Sequence, residues 1–195
     1  MGTITVVNNV TLDGVMQAPG RPDEDTRGGF AHGGWAMPYN DEVMGAKMAE
    51  HMASHSGGGG LLLGRRTYED FASFWPKQRD NPYTEVLNDT PKYVASRTLR
   101  EPLPWQNSTL LAGDGAEEVA RLKAEKDLTV LGSGDLLGTL IRHGLVDEYV
   151  LLIFPLVLGV GRRLFPDDLP EQKLRLADSV TTGTGVIIAT YRAGG

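Results

Sequence analysis

The stretch LLLGRRTYE, residues 61–69, joins a short apolar run to a glycine and then to two consecutive arginines. The apolar run is typical of a buried strand, and Gly64 allows the sharp turn at which a helix begins. Arg65, Arg66 and Thr67 then fall in the first helical turn, where unpaired main-chain N–H groups favour an anion. Because a helix start already carries partial positive charge, two arginines there indicate an external anion, although solvated surface charge is the alternative.

Two other apolar runs end in comparable turns, each of which also fits a purely structural role. In KYVASRTL, residues 92–99, Ser96 and Arg97 follow a strand directly, and a hydroxyl beside a guanidinium suits a terminal phosphate. This pair favours NADPH over NADH, for which an acidic residue on the ribose hydroxyl is expected. In TVLGSGDLL, residues 129–137, two glycines around a serine permit close approach of a pyrophosphate before a helix start. The residues of this third turn are Gly132, Ser133, Gly134, Asp135 and Leu136.

Strand-like and helix-like patterns alternate along the 195 residues. Strands are predicted at residues 3–9, 60–63, 92–96, 109–112, 128–131, 149–154, 174–180 and 186–192. One helix is predicted to begin after a cap at Asn40 or Asp41 and to run to about residue 55, and others are predicted at residues 65–74, 114–126 and 135–142. Asp114 and Glu117 have the spacing of a capping box at the start of a helix. Residues 80–90 are expected to be a polar connection. Residues 12–34 are expected to form a loop, and a loop of this length is usually a lid or a binding loop. The alternation indicates an α/β fold in one domain over residues 1–195, with a mostly parallel central sheet and a C-terminal antiparallel hairpin.

The composition excludes several classes of protein. A hydrophobic content of 41% with 23% charged residues is ordinary for a soluble globular chain. The net charge of −6 argues against a general nucleic-acid surface, and the longest apolar stretch, residues 149–158, is too short to span a bilayer. The chain has no cysteine and no signal-peptide pattern, which excludes disulfides and is compatible with a reducing cytosol. We therefore expect a cytoplasmic protein without a nucleic-acid or membrane partner.

The remaining candidate residues are histidines and acids. His51 and His55 lie four residues apart on one predicted helix, but no third ligand is evident, and we expect no metal. Asp13, Asp41 and Glu42 are the acids nearest the glycine-rich loop and the first helix start. Asp13 and Asp41 are the candidate catalytic residues, as proton donor or substrate anchor. The alternative is structural, with Asp41 capping the helix and Asp13 forming a turn.

Five segments of the chain resemble the dihydrofolate reductase-like proteins and, within them, the reductase domain of bacterial riboflavin biosynthesis. They are VTLDGVMQAPG (residues 10–20), LLLGRRTYE, YVASRTL, VLGSGDLL and LVDEYVLLIFPLVLGVGRRLF (residues 145–165). The last is the most specific, because Val-Asp-Glu, an apolar strand, proline, Leu-Gly-x-Gly and Leu-Phe follow one another as in the riboflavin branch. The resemblance implies a three-layer dihydrofolate-reductase-like fold with NADPH as the hydride donor. It places the 2′-phosphate near Arg65, Arg66, Ser96 and Arg97, and the pyrophosphate near Thr67 and residues 132–136.

The chain differs from true dihydrofolate reductases in the residues expected to contact the substrate. Where that family carries its catalytic acid, this chain has Val43 and Met44, while Asp41 and Glu42 are out of register. We therefore expect an NADPH-dependent reductase of a small heterocyclic substrate, most similar to 5-amino-6-(5-phosphoribosylamino)uracil reductase. The alternatives are a dihydrofolate or pterin reductase and a non-catalytic NADPH-binding module. A homodimer formed through residues 149–158 is compatible with the sequence.

Overall fold

The structure is a computed structural model that describes residues 1–55, 59–79, 81–111 and 115–194. The chain divides into two compact units. The first unit contains Met1–Ile4 and Ser54–Leu145, and the second unit contains Thr5–Ala53 and Val146–Gly195. The prediction of one domain over the whole chain stays a prediction. The predicted capping residue Asp114 lies outside the described residues.

The described residues form alternating strands and helices, in line with the sequence pattern. The strands are β1 Ile4–Thr11, β2 Gly60–Gly64, β3 Lys92–Ala95, β4 Ser108–Leu111, β5 Leu128–Leu131, β6 Glu148–Phe154, β7 Leu174–Thr181 and β8 Ile187–Ala193. The helices are α1 Glu42–His55, α2 Arg65–Phe74, α3 Pro82–Asp89, α4 Gly115–Glu125 and α5 Gly134–Arg142. Short 3₁₀ helices lie at Arg27–Gly29, Met37–Tyr39 and Trp75–Lys77. None of the described helices combines the length and the apolar character needed to cross a membrane.

In the first unit, four parallel strands lie side by side in the order β4-β3-β2-β5. Leu63 pairs with Val94 and Leu62 pairs with Val130, so β3 and β5 flank β2, and all four side chains are fully buried. Helices α2 and α5 pack against β2, and α4 packs against β4. Because the strands are parallel, their carboxyl ends meet at one edge of the sheet, and this edge carries all three turns singled out in the sequence.

The prediction of a polar connection over residues 80–90 is wrong, because this segment contains α3. Asn81 caps the helix: its Oδ1 accepts a hydrogen bond of 3.0 Å from the main-chain N–H of Tyr83, and Pro82 takes the first helical position. At the other end of the helix, the buried Nζ of Lys92 donates to three main-chain carbonyls. They belong to Leu87 (2.7 Å), Asn88 (2.9 Å) and Thr90 (2.8 Å). Side chains therefore fix α3 at both ends, within a segment whose sequence is mostly polar.

In the second unit, the strands lie in the order β1-β6-β8-β7. β6 runs parallel to β1 and antiparallel to β8, and β8 runs antiparallel to β7. The predicted mostly parallel sheet and its C-terminal antiparallel hairpin are therefore both confirmed. β6 is buried along most of its length, as expected of an apolar strand with a neighbour on either side. Between Leu176 and Asp178 the pairing of β7 with β8 slips by one residue, which makes a β-bulge at Ala177.

Candidate cofactor site

Two hydrogen bonds join the residues at the start of α2 to the turn before α5, and a third lies within that turn. The main-chain N–H of Gly64 donates to Ser133 Oγ at 3.0 Å, and the main-chain N–H of Ser133 donates to Thr67 Oγ1 at 3.0 Å. The Ser133 hydroxyl in turn donates to the Leu131 carbonyl at 2.8 Å. Ser133 is buried, so water competes little for these bonds. The carboxyl ends of β2 and β5 are therefore fixed against each other, together with the helices that follow them.

The turn between β5 and α5 has an unusual backbone. Gly132 has a φ of +55°, and a Cβ at this position would lie only 3.2 Å from Thr67 Oγ1, so a larger residue would crowd the turn. Ser133 also has a φ of 55° and lies in the left-handed region, which costs a non-glycine residue about 1 kcal/mol or more. The hydrogen bonds made by the Ser133 peptide and hydroxyl offset this strain.

Neither helix start is closed by a side-chain cap in the described chain. Gly64, at the N-cap of α2, has no side chain, and the first turn of α2 contains no acid. Ser133, at the N-cap of α5, directs its hydroxyl to Leu131 instead of to the helix. The partial positive charge of both helix starts is therefore available to a bound anion. Asp135 lies exposed in the first turn of α5, where its carboxylate offsets part of that charge.

Two arginines near these helix starts have no acidic partner within the part of the chain that the structure describes. Arg65 lies 3.7 Å from Glu69, one turn along α2, so its charge is partly balanced. Arg66 and Arg97 are exposed, and neither forms an ion pair with a described residue. A guanidinium in this state suits a phosphate, because its N–H groups can bind two phosphate oxygens at once. Arg66 and Arg97 are therefore the best candidates for holding a phosphate at this edge.

Ser96 shapes the turn that carries Arg97. The last residue of β3 pairs with Gly64 of β2, so Ser96 and Arg97 follow at the same edge as the start of α2. Ser96 Oγ accepts hydrogen bonds of 3.2 and 3.1 Å from the main-chain N–H groups of Thr98 and Leu99. These bonds turn the chain directly after the strand and so set the position of the Arg97 main chain.

Tyr68 of α2, which is not among the residues predicted to be functional, fixes the segment beyond Arg97. The hydroxyl of Tyr68 accepts a hydrogen bond of 3.0 Å from the main-chain N–H of Trp105, and both side chains are buried. Trp105 Nε1 donates to Asn88 Oδ1 at 2.7 Å, which ties the same segment to α3. In the sequence, Tyr68 is one of several aromatic residues in 65–75 and Trp105 lies in a polar segment, and neither pattern reveals that the two residues meet.

Asp13 lies in the second unit, in the turn after β1, and its carboxylate makes three hydrogen bonds. Oδ1 accepts from Thr11 Oγ1 at 2.6 Å and from the main-chain N–H of Leu158 at 3.2 Å, and Oδ2 accepts from the main-chain N–H of Gly159 at 2.8 Å. These bonds, the Thr11 hydroxyl foremost, hold the pKa of Asp13 below its usual value. Asp13 is therefore ionised at neutral pH and anchors the segment after β6. Its predicted catalytic role stays a prediction.

Asp41 also lies in the second unit, where it caps α1. Its Oδ1 accepts from the main-chain N–H of Met44 at 2.9 Å, and its Oδ2 accepts from the main-chain N–H of Thr184 at 3.2 Å. The bond from Met44 is the main cause of a lowered pKa for Asp41. Thr184 lies in the turn between β7 and β8, and its hydroxyl donates to the Tyr39 carbonyl at 2.6 Å. Asp41 thus joins the start of α1 to the terminal hairpin, and its predicted catalytic role stays a prediction.

The long loop over residues 12–34 is organised by Gln17, which the sequence analysis did not single out. The side chain is buried, and its Nε2 donates to the carbonyls of Asp25 and Arg27 at 3.1 and 3.0 Å. Its Oε1 accepts from the main-chain N–H of Arg162 at 3.0 Å. A lone glutamine in a polar loop carries no recognisable pattern, because its importance comes from the three main-chain groups that surround it.

The edge formed by the three turns of the first unit fits a cofactor that carries phosphate groups. Such a ligand is suited by two helix starts without side-chain caps, by a glycine at the crowded position 132, and by two arginines without acidic partners among the described residues. In contrast, the described residues contain no group of three or more histidine, aspartate or glutamate side chains arranged to hold a metal ion. The groups at this edge therefore suit an anion.

A family model for the RibD C-terminal domain matches residues 2–188. The chain belongs to the RibD C-terminal domain family. One relative is the Bacillus subtilis (strain 168) protein YyaP, which bears the designation "uncharacterized protein". YyaP is 35% identical over 143 residues, which cover 69% of this chain and 74% of YyaP. The family resemblance inferred from the sequence is therefore confirmed.

Solved structures share the fold of this RibD C-terminal domain chain. A protein from Shewanella sp. PV-4, assigned to riboflavin biosynthesis, has a TM-score of 0.68 at 22% identity, with 99% of each chain covered. Dihydrofolate reductase from Enterococcus faecalis, complexed with NADP(H) and RAB-propyl, has a TM-score of 0.60 at 15% identity. This match covers 100% of the present chain and 98% of the reductase. The dihydrofolate-reductase-like fold predicted from the sequence is therefore confirmed.

Proposed function

We propose that this protein is an NADPH-dependent reductase that acts on a small heterocyclic substrate in the cytoplasm. Membership of the RibD C-terminal domain family supports the proposal. The solved structures support it as well, since one is assigned to riboflavin biosynthesis and another is a reductase complexed with NADP(H). In the proposal, the phosphate groups of the cofactor bind to the first unit.

One observation carries the proposal. Two helix starts lie at one edge of the first-unit sheet, and neither has a side-chain cap. Arg66 and Arg97 lie at the same edge, and neither has an acidic partner among the described residues. The hydrogen bond between Ser133 and Thr67 holds the two helix starts together. Main-chain N–H groups at such helix starts suit a pyrophosphate. Arg66 and Arg97 suit the 2′-phosphate that distinguishes NADPH from NADH.

These contacts indicate which part of the reaction belongs to the cofactor and which part belongs to the protein. When bound, the nicotinamide ring supplies a hydride for the reduction. Gly132 lets the main chain approach the pyrophosphate closely, and Arg66 and Arg97 balance the charge of the 2′-phosphate. Asp13 and Asp41 are hydrogen-bonded to main-chain N–H groups and ionised, which suits anchoring better than proton donation. We therefore assign to the chain mainly orientation and electrostatic stabilisation.

The first candidate substrate is 5-amino-6-(5-phosphoribosylamino)uracil, because the family model is that of the RibD C-terminal domain. The test mixes the purified protein with NADPH and follows the absorbance of the reduced nicotinamide. Oxidation that depends on this pyrimidine supports the assignment. Oxidation with dihydrofolate and not with the pyrimidine would make the protein a folate reductase instead.

The second candidate function is the binding of NADPH without catalysis. It is favoured by the engagement of Asp13 and Asp41 in hydrogen bonds within the second unit, which leaves both carboxylates poorly suited to protonate a substrate. Calorimetric binding of NADPH, together with no oxidation by a panel of pyrimidines, pterins and flavins, would select this candidate. Oxidation by any member of the panel would exclude it.

A further inference from the structure

Arg100 lies in the turn after β3, three residues beyond Arg97, and has no part in the function proposed above. Although the residue is exposed, its side chain folds back onto the turn. Nη1 donates to the main-chain carbonyl of Leu99 at 2.9 Å and to that of Arg97 at 3.4 Å. The guanidinium group of Arg100 is therefore held against the main chain that carries Arg97.

The turn itself is braced on both sides of Arg100. Before it, the main-chain N–H of Leu99 donates to Ser96 Oγ at 3.1 Å, while the carbonyl of Leu99 accepts from Arg100. After it, Glu101 Oε1 accepts a hydrogen bond of 3.3 Å from the main-chain N–H of Leu110 in β4. Because side chains bind main-chain groups at both ends, the guanidinium of Arg100 has a defined place beyond the carboxyl end of β3.

This turn concentrates positive charge in a chain whose net charge is −6. Neither Arg97 nor Arg100 forms an ion pair with any residue that the structure describes. Glu101 follows Arg100 directly, but its carboxylate accepts the hydrogen bond from Leu110. Since like charges repel each other, two guanidinium groups on one turn without an acid favour the binding of an anion there.

One edge of the Arg100 guanidinium makes no hydrogen bond to the described chain. The carbonyls of Arg97 and Leu99 use only Nη1, which leaves Nε and Nη2 for a ligand. These two nitrogens direct parallel N–H groups from one edge of the planar group, an arrangement that binds two oxygens of a phosphate at once. The two carbonyls thus hold the group in place without using the edge that suits a phosphate.

We propose that Arg100 is a specificity-determining residue of the cofactor site, at which Nε and Nη2 bind the 2′-phosphate of NADPH alongside Arg97. The inference rests on the proposed function, because it assigns a further residue to the same site. A phosphate monoester carries a charge of about −1.5 to −2 at pH 7, which is more than a single guanidinium neutralises. NADH has a hydroxyl in place of this phosphate and therefore gains little from Arg100.

Isothermal titration calorimetry with NADPH and NADH tests the assignment. Arg100→Ala is expected to weaken NADPH binding about fivefold or more and to change NADH binding by less than about twofold, because only NADPH carries the 2′-phosphate. Arg100→Lys keeps the charge but lacks the paired N–H groups, so its affinity for NADPH is expected to lie between those of Arg100→Ala and the wild type. Arg121→Ala, on α4, is the control and should change neither affinity.

Arg100→Gln distinguishes the charge of Arg100 from its bracing of the turn. A glutamine amide can still donate to a main-chain carbonyl but carries no charge. We therefore expect this variant to lose NADPH affinity as Arg100→Ala does and to keep its affinity for NADH. Wild-type affinity for NADPH in Arg100→Gln would show that bracing suffices, and would overturn the proposal.

The calorimetry also distinguishes a failure of this inference from a failure of the proposed function. A wild type that binds NADPH no more tightly than NADH would overturn both. A wild type that prefers NADPH, together with an Arg100→Ala variant that keeps the full preference, would overturn only the assignment of Arg100. Equal losses of both nucleotides in Arg100→Ala would also overturn that assignment, because they would indicate a purely structural role.

Discussion

The hydroxyl oxygen of Ser133 lies 3.0 Å from the main-chain nitrogen of Gly64, a residue 69 positions earlier in the chain. This contact joins the carboxyl ends of two parallel strands at the point where each gives way to a helix. It acts together with the bond from the Ser133 N–H to Thr67 Oγ1. The position of both helix starts, and hence the shape of the proposed phosphate site, therefore depends on one buried serine.

Two substitutions of Ser133 distinguish the contribution of its hydrogen bond to stability from the cost of its strained backbone. Ser133→Ala is expected to reduce the free energy of unfolding by about 1–3 kcal/mol, because the Gly64 N–H loses its acceptor. Ser133→Gly removes the same bond but relaxes the positive φ, so its loss is expected to be smaller by about 1 kcal/mol. Urea denaturation measures both. A glycine variant less stable than the alanine variant would contradict the assignment of strain to this residue.

Lys92→Met tests how much the Lys92 side chain stabilises the C-terminal end of α3. The change removes the donor for three carbonyls and is expected to lower the free energy of unfolding by about 2 kcal/mol. The loss is smaller than three full bonds because burial penalises the charge and lowers the pKa of Lys92 to about 8. Lys77→Met, at an exposed position, is the control, with an expected change below about 0.5 kcal/mol. If Lys92→Met and the wild type were equally stable, the three hydrogen bonds would make no net contribution to the free energy of unfolding.

The lowered pKa of Lys92 also predicts a pH dependence. The folded value of about 8 lies below the value of about 10.4 for an unfolded chain, so the folded protein releases this proton first. Between these two pH values the unfolded state binds more protons, and stability rises with pH. The stability difference between wild type and Lys92→Met is therefore expected to grow from about pH 8 to about pH 10. A constant difference over this range would contradict the lowered pKa.

Asp13→Asn tests the anchoring of the segment after β6. Because the folded pKa of Asp13 is lowered, its contribution to stability is present above the unfolded pKa of about 3.9 and is lost as the pH falls through the folded value. The variant is expected to have a lower Tm at neutral pH and a weaker fall of Tm in acid. Asp23→Asn, at a side chain 87% exposed, is the control. An unchanged Tm at neutral pH would argue against anchoring.

Turnover of the same Asp13→Asn variant separates anchoring from catalysis. At a temperature at which the variant is fully folded, loss of an anchor leaves proton transfer intact, whereas loss of a proton donor lowers kcat by about a hundredfold or more. We expect the smaller effect, since the carboxylate is ionised and bound to main-chain N–H groups. A hundredfold loss with unchanged KM would instead support the catalytic role predicted from the sequence.

Local patterns in the sequence were enough to predict the strand ends. α2 and β5 begin and end at the residues predicted from the apolar runs and from Gly64, because each of these signals acts over a few residues. The contact between Thr67 and Ser133 could not be predicted in the same way. It depends on the parallel pairing of β2 with β5, which brings together residues that are 66 positions apart.

The errors of the sequence analysis have physical reasons. α3 was missed because its residues are mostly polar, although Asn81 followed by Pro82 is a recognisable helix start. Gln17 and Tyr68 act through main-chain groups far along the chain, which no local pattern reveals. The possible dimer surface over residues 149–158 stays a prediction, and β6, which makes up most of that segment, lies between β1 and β8.

The binding of NADPH and NADH to the wild type and to Arg66→Ala/Arg97→Ala, measured by isothermal titration calorimetry, tests the proposed cofactor site most directly. The wild type is expected to bind NADPH more tightly than NADH. In the double variant the affinity for NADPH is expected to fall about tenfold or more, while that for NADH changes by less than about twofold. Arg121→Ala, on the exposed face of α4, is the control and should change neither. Equal losses for both nucleotides, or a wild type that binds neither, would contradict the account.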